Sequence, residues 1–250
     1  MTIKAVTFDL WDTMIADDTD EPKRQAKGMR SKAAERRYLV WQALDSHQSI
    51  AETEAHLAYD VADAAFTRAW KGNSVTWTVE ERVDIILDGL GRNLSVDDRQ
   101  ALIDALGRME VDVAPDPVPG IDAALADLAG RYSLCVVSDT IVTPGAQLRE
   151  LLDGHGLKRH FSGFAFSDEV GRSKPHRAMF EAAAEQLGVE FAEMVHIGDR
   201  DHNDVKGPQA LGMKAILFTG RRDADRETTS ADAICDDHGD LPAAVDALAG

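Results

Sequence analysis

The sequence predicts an α/β fold: a parallel sheet with helices on both faces, interrupted after its first strand by about 100 residues of helix. Three observations carry this. The chain opens on a short apolar run, residues 3–8, that stops at Asp9. From about residue 115 onward, short apolar runs alternate with amphipathic helix patterns. Between them lies a stretch rich in Ala, Leu, Glu and Arg, with apolar residues at helical spacing.

The first strand is "IKAVTF", apolar enough to be buried on both faces. "KAAERRYLVWQALDSH" places Leu39, Val40, Ala43 and Leu44 at helical spacing behind Ser31, a candidate N-cap. "AETEAHLAYDVADAAFTRAW" repeats Leu57, Val61, Ala64, Ala65 and Ala69, the expected core face of the next helix. "VEERVDIILDGLG" and "SVDDRQALIDALGRM" are two further short helices with cap signals. "APDPVPG" (114–120) is a Pro/Gly-rich boundary. Beyond it, the strands "YSLCVVSD", "GFAFSD", "MVHIGD", "KAILFT" and "ADAIC" alternate with helices, and "DLPAAVDALA" is the last helix. The expected plan is one α/β domain from residues 1–16 and 115–250, with residues 17–114 as a helical insertion. There is no internal repeat and no low-complexity segment.

Composition narrows the function. With 250 residues, 44% of them hydrophobic, a sizeable core can form. The formal charge of −17 argues against general nucleic-acid binding and means that an anionic substrate needs a local positive site. No apolar run approaches the roughly 20 residues of a membrane span, and Met1 leads straight into a strand pattern without a signal-peptide start. A soluble, cytoplasmic protein without a membrane partner is expected; the oligomeric state stays open. Cys135 and Cys235 sit in separate apolar segments and read as buried thiols, and no Cys/His spacing suggests zinc.

In an open parallel sheet, ligands bind beyond the carboxyl ends of the strands. Here those ends carry Asp9, then Ser138 and Asp139, then Gly198 and Asp199, with Asp201 and Asp204 close behind; Lys174 lies in the loop "EVGRSKPH". Singly, each could be a turn, a cap or a solvated charge. Together, carboxylates at one edge call for a hard divalent cation, and Mg²⁺ suits a few carboxylates plus a phosphate. Lys174 and the metal would neutralise a transferring phosphoryl group, Ser138 would donate a hydrogen bond, and Asp9 would be the nucleophile.

"FDLWDT", "VVSDT", "EVGRSKPHRAMF" and "HIGDRDHNDVKGPQALGM" resemble, in order, the four motifs of the haloacid dehalogenase (HAD) superfamily. The helical insertion resembles the C1-type cap of that family. The resemblance implies a Rossmann-like sheet and, in most members, a Mg²⁺-dependent phosphatase acting on a small phosphorylated substrate. It makes Asp9 the nucleophile and a metal ligand, the Trp11 backbone carbonyl a second ligand, and Asp199 a third. Asp204 falls in the first or second shell of the metal. Ser138 and Lys174 would bind the phosphoryl group, with Asp139 and Trp11 beside the substrate, and Thr13 would orient the nucleophile's loop. Cap closure would hinge near residues 14–20 and 114–119.

Two positions depart from the pattern. Most phosphatases of the family keep a second Asp two residues after the nucleophile, to protonate the leaving group. Trp11 stands there, and indole cannot serve as an acid. Asp12, one residue on, is better explained as a turn or cap residue. Asp139 stands where many relatives have Asn, so it must turn away from a bound phosphate or meet a cation. Loss of a positioned acid costs about 10²–10⁴-fold in rate, which favours acyl or aryl phosphates with good leaving groups. Two other aspartyl chemistries and one non-catalytic role compete. Dehalogenation fits poorly, because dehalogenases of this fold lack the metal site. Phosphonate cleavage needs a cap lysine that forms a Schiff base, for which Lys23, Lys27 and Lys32 are available. A catalytically weak relative that binds a phosphorylated ligand or a protein is the third. The basic stretch 20–37 could place Lys23, Lys27 and Arg30 on one helical face toward an anionic substrate, although a solvated face is the simpler reading. Trp41, Trp70 and Trp77 read as cap core, His202 as a solvated loop residue and His176 as a helix opener.

Overall fold

The computed structural model describes residues 2–249. It divides into two compact units, one of Met1–Asp17, Pro115–Asp139 and Leu152–Gly250, the other of Asp18–Ala114 with Thr140–Leu151. Residues 140–151, which the strand–helix alternation places with the sheet, group with the helices for a visible reason. The Thr143 hydroxyl donates to Glu110 Oε2 at 2.5 Å, and Arg82 donates to the Ile141 carbonyl.

The first unit holds six parallel strands: β1 (Ala5–Phe8), β2 (Ser133–Ser138), β3 (Gly163–Phe166), β4 (Met194–Gly198), β5 (Lys214–Phe218) and β6 (Ala233–Cys235). Their order is β3-β2-β1-β4-β5-β6. The chain therefore runs outward from β1 on one side and returns to its other side at β4, a topological switch point. The register pairs Phe8 with Val136 on β2 and with Ile197 on β4, so the carboxyl ends of these three strands lie side by side. All four β1 residues are buried, as expected for a strand covered on both faces. The helix Arg177–Leu187 lays Met179, Phe180 and Ala183 on Ala5, Cys135, Val137 and Met194; each large side chain buried this way contributes about 1.5–3 kcal/mol. Cys135 and Cys235 are both buried thiols outside any disulfide among the described residues.

The second unit contains α1 (Asp20–Ala26), α2 (Lys32–His47), α3 (Glu52–Asn73), α4 (Val79–Leu90) and α5 (Val96–Gly107). Ser31 caps α2 by accepting from the Ala34 N–H, and Thr78 with Glu81 forms a capping box on α4. Two sequence expectations need correction. First, α3 buries Ala55, Tyr59, Ala62 and Phe66, while Leu57 and Val61 are 64% and 61% exposed. Both stripes have helical spacing, but the one with Tyr59 and Phe66 removes more area from water. Second, Lys23, Lys27 and Arg30 share no helix face. α1 ends at Ala26, Gly28 takes a left-handed φ of +69°, and a new helix begins at Lys32. Trp41 is half-buried against the helical core and Trp77 packs on Phe66, as cap-core residues do.

Lys32 is buried among carboxylates brought from distant parts of the same unit. Its Nζ lies 3.0 Å from Asp20 Oδ1, and 3.2 Å from both Asp18 Oδ1 and Glu110 Oε1. No helix among the described residues is long and apolar enough to cross a membrane.

Candidate active site

β1, β2 and β4 deliver Asp9, Ser138 and Asp199 to one edge of the sheet. Asp9 extends the ladder by donating its N–H to the Ile197 carbonyl at 2.8 Å, so its side chain leaves a rigid strand end. The Lys174 ammonium donates to Asp9 Oδ1 and to Asp204 Oδ1, each at 2.6 Å, with all three groups buried. Thr13 Oγ1 makes a long 3.5 Å contact with Asp9 Oδ2.

Asp204 reaches this point through a π-helical turn, Asp201–Lys206, that follows β4. The Asp204 carboxylate accepts the Arg200 N–H at 3.0 Å, and the Asp204 N–H bonds back to the Arg200 carbonyl at 2.7 Å. The approach requires glycine at 198, because a Cβ there would collide with Asp204 Cβ and Cγ. Gly207 is needed on similar grounds: a Cβ on it would stand 2.6 Å from Pro175 Cβ, beside Lys174. Gly198→Ala is therefore expected to displace Asp204, with kcat at least about 10-fold lower and Mg²⁺ bound more weakly. Kinetics and calorimetric metal titration check this.

The electrostatics reflect crowded negative charge. Burial, then the neighbouring carboxylates, pushes Asp9 up to about 6 despite Lys174. Burial, with Asp9 and Asp204 beside it, pushes Asp199 up to about 8. Burial works against Asp204 too, but the Lys174 ammonium and His196 outweigh it and hold that carboxyl below the usual range. Lys174 is disfavoured by burial, yet Asp204 and Asp9 together raise it above the ordinary lysine value.

Asp9, Asp199 and Asp204 offer ligand oxygens within 4.8 Å of one another, the one such cluster among the described residues. Asp199 Oδ2 is buried with no hydrogen-bond partner. An orphaned carboxylate oxygen in an all-oxygen set fits a small hard cation such as Mg²⁺. The sign of the pH effect follows. Asp9 and Asp199 have folded values above the ordinary one, so stability from this pair is present below about pH 4. It is lost as pH rises through about 6 and then about 8. Mg²⁺ is thus expected to raise Tm more at pH 8.5 than at pH 5.5; equal shifts at both would contradict the site.

The remaining sequence candidates are placed as follows. Ser138 is fully buried, its hydroxyl 3.4 Å from the Asp139 carbonyl. Asp139 turns its carboxylate to the Lys174 backbone N–H at 2.8 Å, so it holds the lysine loop. Trp11 is half-buried, and no backbone N–H donates to its carbonyl among the described residues. Asp12 has a left-handed φ of 53° and accepts the Asp17 N–H at 3.2 Å, as a turn residue does. His202 is exposed, and His176 caps its helix by accepting the Ala178 N–H at 3.2 Å.

Sequence reasoning missed three residues. Thr7 and His196 form a buried pair behind Asp204: His196 Nδ1 is 2.8 Å from Thr7 Oγ1 and its Nε2 is 3.1 Å from Asp204 Oδ1. The available signal was a polar residue in the middle of each of two apolar strands, which the register then pairs. Arg222 ties the following loop to the site, donating to the Asp199 carbonyl at 3.0 Å and to Asp225 at 2.6 Å.

Residues 3–212 match the family model of haloacid dehalogenase-like hydrolases. The chain belongs to that family. This HAD-like hydrolase is 37% identical over 112 residues to a phosphoserine phosphatase from Thermus thermophilus, covering 44% of each chain. It therefore spans less than half the length of that relative. Among solved structures, a HAD phosphatase from Thermococcus onnurineus superposes with a TM-score of 0.65 at 22% identity, covering 97% of this chain and 98% of that one. A 2-haloacid dehalogenase from Pseudomonas syringae pv. Tomato superposes at 0.57 with 20% identity, covering 98% and 99%. At such identities the likeness is one of fold, so it does not separate phosphatase from dehalogenase chemistry in this HAD-like chain.

Proposed function

We propose that this HAD-like hydrolase is a Mg²⁺-dependent phosphatase acting on a small phosphorylated metabolite through an aspartyl-phosphate on Asp9. The observation that carries the reading is the Lys174 ammonium shared between Asp9 and Asp204, beside an Asp199 oxygen that accepts no hydrogen bond and has only Arg200 Nε at 3.8 Å as a charge partner among the described residues. That arrangement presents one carboxylate backed by a cation and leaves oxygens for a metal. Asp9, Asp199 and the Trp11 carbonyl would hold Mg²⁺, with Asp204 in its first or second shell; when bound, the ion would neutralise charge on the phosphoryl oxygens.

The chain's own residues supply the rest. Asp9 attacks phosphorus, the P–O bond to the leaving group breaks, and the phosphoryl group rests on the carboxylate. Lys174 orients Asp9 and offsets charge on the transferring oxygens, while Ser138 donates a hydrogen bond to one of them. Asp139 acts indirectly by fixing the Lys174 loop. Water then attacks phosphorus, releasing phosphate and restoring Asp9. No acid stands at Trp11, so acyl and aryl phosphates, whose leaving groups need little protonation, are the expected good substrates. The phosphoserine phosphatase likeness supports phosphate-ester chemistry for the part of the chain it covers.

The competing chemistries lose support. Halide displacement does not need the three-carboxylate cluster. A Schiff base needs a neutral amine, whereas three carboxylates hold Lys32 as an ammonium and Lys23 is engaged with the Ala114 carbonyl at 2.6 Å. A screen of phosphate release from acetyl phosphate, p-nitrophenyl phosphate and phosphoserine, with Mg²⁺ and with EDTA, tests the proposal. Mg²⁺-dependent release, fastest from acetyl phosphate, is expected. No release from any ester would leave only a binding role.

A further inference from the structure

Behind the carboxylate cluster runs a buried chain of polar groups for which the chemistry above has no use. His196 is wholly buried in the middle of β4, an energetically poor place for an imidazole unless both ring nitrogens are satisfied. Both are. Nε2 lies 3.1 Å from Asp204 Oδ1, and Nδ1 lies 2.8 Å from the Thr7 hydroxyl on the neighbouring strand, with Thr7 and His196 in direct register. Phe180 packs edge-on against the ring, with centroids 5.2 Å apart, and limits its rotation.

The directions of these bonds can be assigned. A carboxylate only accepts, so Nε2 carries the proton that faces Asp204. Protonating Nδ1 as well would put a second buried cation close to Lys174, so the hydroxyl of Thr7 donates to Nδ1 at 2.8 Å in preference to the Val195 carbonyl at 3.4 Å and selects the tautomer. Asp204 Oδ1 then accepts from two donors at once, His196 and Lys174, while Arg200 N–H takes Oδ2. Three donors from three directions fix the plane of this carboxylate. Among the described residues, Asp204 and Asp9 are the two carboxylates that form ion pairs with the Lys174 ammonium, and Asp9 is the proposed nucleophile.

We infer that His196, oriented by Thr7, is a positioning residue: it locks the Asp204 carboxylate so that Lys174 is aimed at Asp9. The inference rests on the phosphatase reading for its kinetic arm alone. Its effect passes through Asp204, so it acts on kcat and on Mg²⁺ affinity and leaves substrate KM nearly untouched. Outer-shell partners of this kind are typically worth about 10–100-fold in affinity or activity.

Three variants test it. His196→Leu fills the strand core but donates nothing to Asp204. His196→Gln keeps an N–H of similar reach. Thr7→Val keeps shape and removes the hydroxyl that selects the tautomer. Circular dichroism and thermal melts first establish which variants fold. Mg²⁺ affinity is then measured by calorimetry, and kcat and KM are measured with acetyl phosphate. The expected result is a fall of about 10–100-fold in kcat and about 10-fold or more in Mg²⁺ affinity for His196→Leu, substantial recovery in His196→Gln, and an intermediate loss in Thr7→Val. Wild-type values in folded His196→Leu would overturn the inference. So would equal losses in His196→Leu and His196→Gln, which would mean that the ring serves packing alone. If the wild type hydrolyses no phosphate ester, the phosphatase reading fails, and the Mg²⁺ titrations still decide the role of His196.

Discussion

Asp9→Asn is expected to abolish phosphate release and, in the absence of Mg²⁺, to make the folded protein more stable. The two effects have one cause. Asp9 is buried among carboxylates, and burial with its acidic neighbours pushes it up to about 6 in spite of the Lys174 ion pair. Keeping it ionised at neutral pH therefore costs folding free energy, on the order of 1–3 kcal/mol. Asparagine is nearly isosteric, still accepts the Lys174 hydrogen bond through its carbonyl oxygen, and carries no charge. Lys174 retains Asp204 as its partner. An amide cannot be the nucleophile, so turnover should fall by at least about 10³-fold. Denaturant melts with and without Mg²⁺, beside a phosphate-release assay, read both halves. A variant that is less stable than wild type without metal would contradict the electrostatic account, and retained turnover would contradict the role of Asp9. The combination is a stability–function trade-off located at one carboxyl group.

Lys32→Met has the largest effect expected on stability alone. The ammonium lies within 3.2 Å of Asp18, Asp20 and Glu110, and Glu110 also takes the Thr143 hydroxyl at 2.5 Å. These groups come from the start of the helical unit, from its end and from residues 140–151, so one side chain joins three stretches of chain. Methionine matches the length and apolar stem of lysine but leaves Asp20 buried without its cation, while Glu110 retains Arg36 at 3.7 Å. Breaking a buried pair in this way costs about 3–5 kcal/mol. Chemical denaturation at pH 7 measures it. A loss under about 1 kcal/mol at pH 7 would mean that the cluster is solvated and unimportant.

The parts of this molecule that were legible in its sequence share a property: each residue's meaning was set by its immediate neighbours. Asp9, Ser138 and Asp199 each stop an apolar run, and a polar residue at the end of a buried strand points to the ligand edge of a parallel sheet. Lys174 was legible as part of an ordered set of motifs. The misreadings arose where pairing between distant segments decides. Thr7 and His196 are ordinary strand residues until the β1–β4 register sets them opposite each other. Helix α3 carries two stripes of helical period, and the volume of Tyr59, packed with α4 and α5, and of Phe66, against Trp77 and Arg82, selects the buried one. Lys32 resembled any lysine of a basic stretch until Glu110 was brought to it from 78 residues away. The basic stretch is continuous in charge, but the left-handed glycine at 28 divides it between two helices.

Trp11 keeps its significance. It occupies the place where the family resemblance implies a proton donor, while the cluster of Asp9, Lys174, Asp199 and Asp204 assembles without it. A site that can form a covalent intermediate but protonates poorly should turn over substrates in order of leaving-group acidity.

The central claim is that a phosphoryl group passes through Asp9, and borohydride reduction of the protein during turnover tests it most directly. An aspartyl-phosphate at position 9 is reduced to homoserine, which mass spectrometry of the N-terminal peptide reads as a defined mass loss. The account predicts homoserine at residue 9 when acetyl phosphate and Mg²⁺ are both present, and unmodified aspartate when either is withheld. Phosphate release with residue 9 unmodified throughout would contradict it.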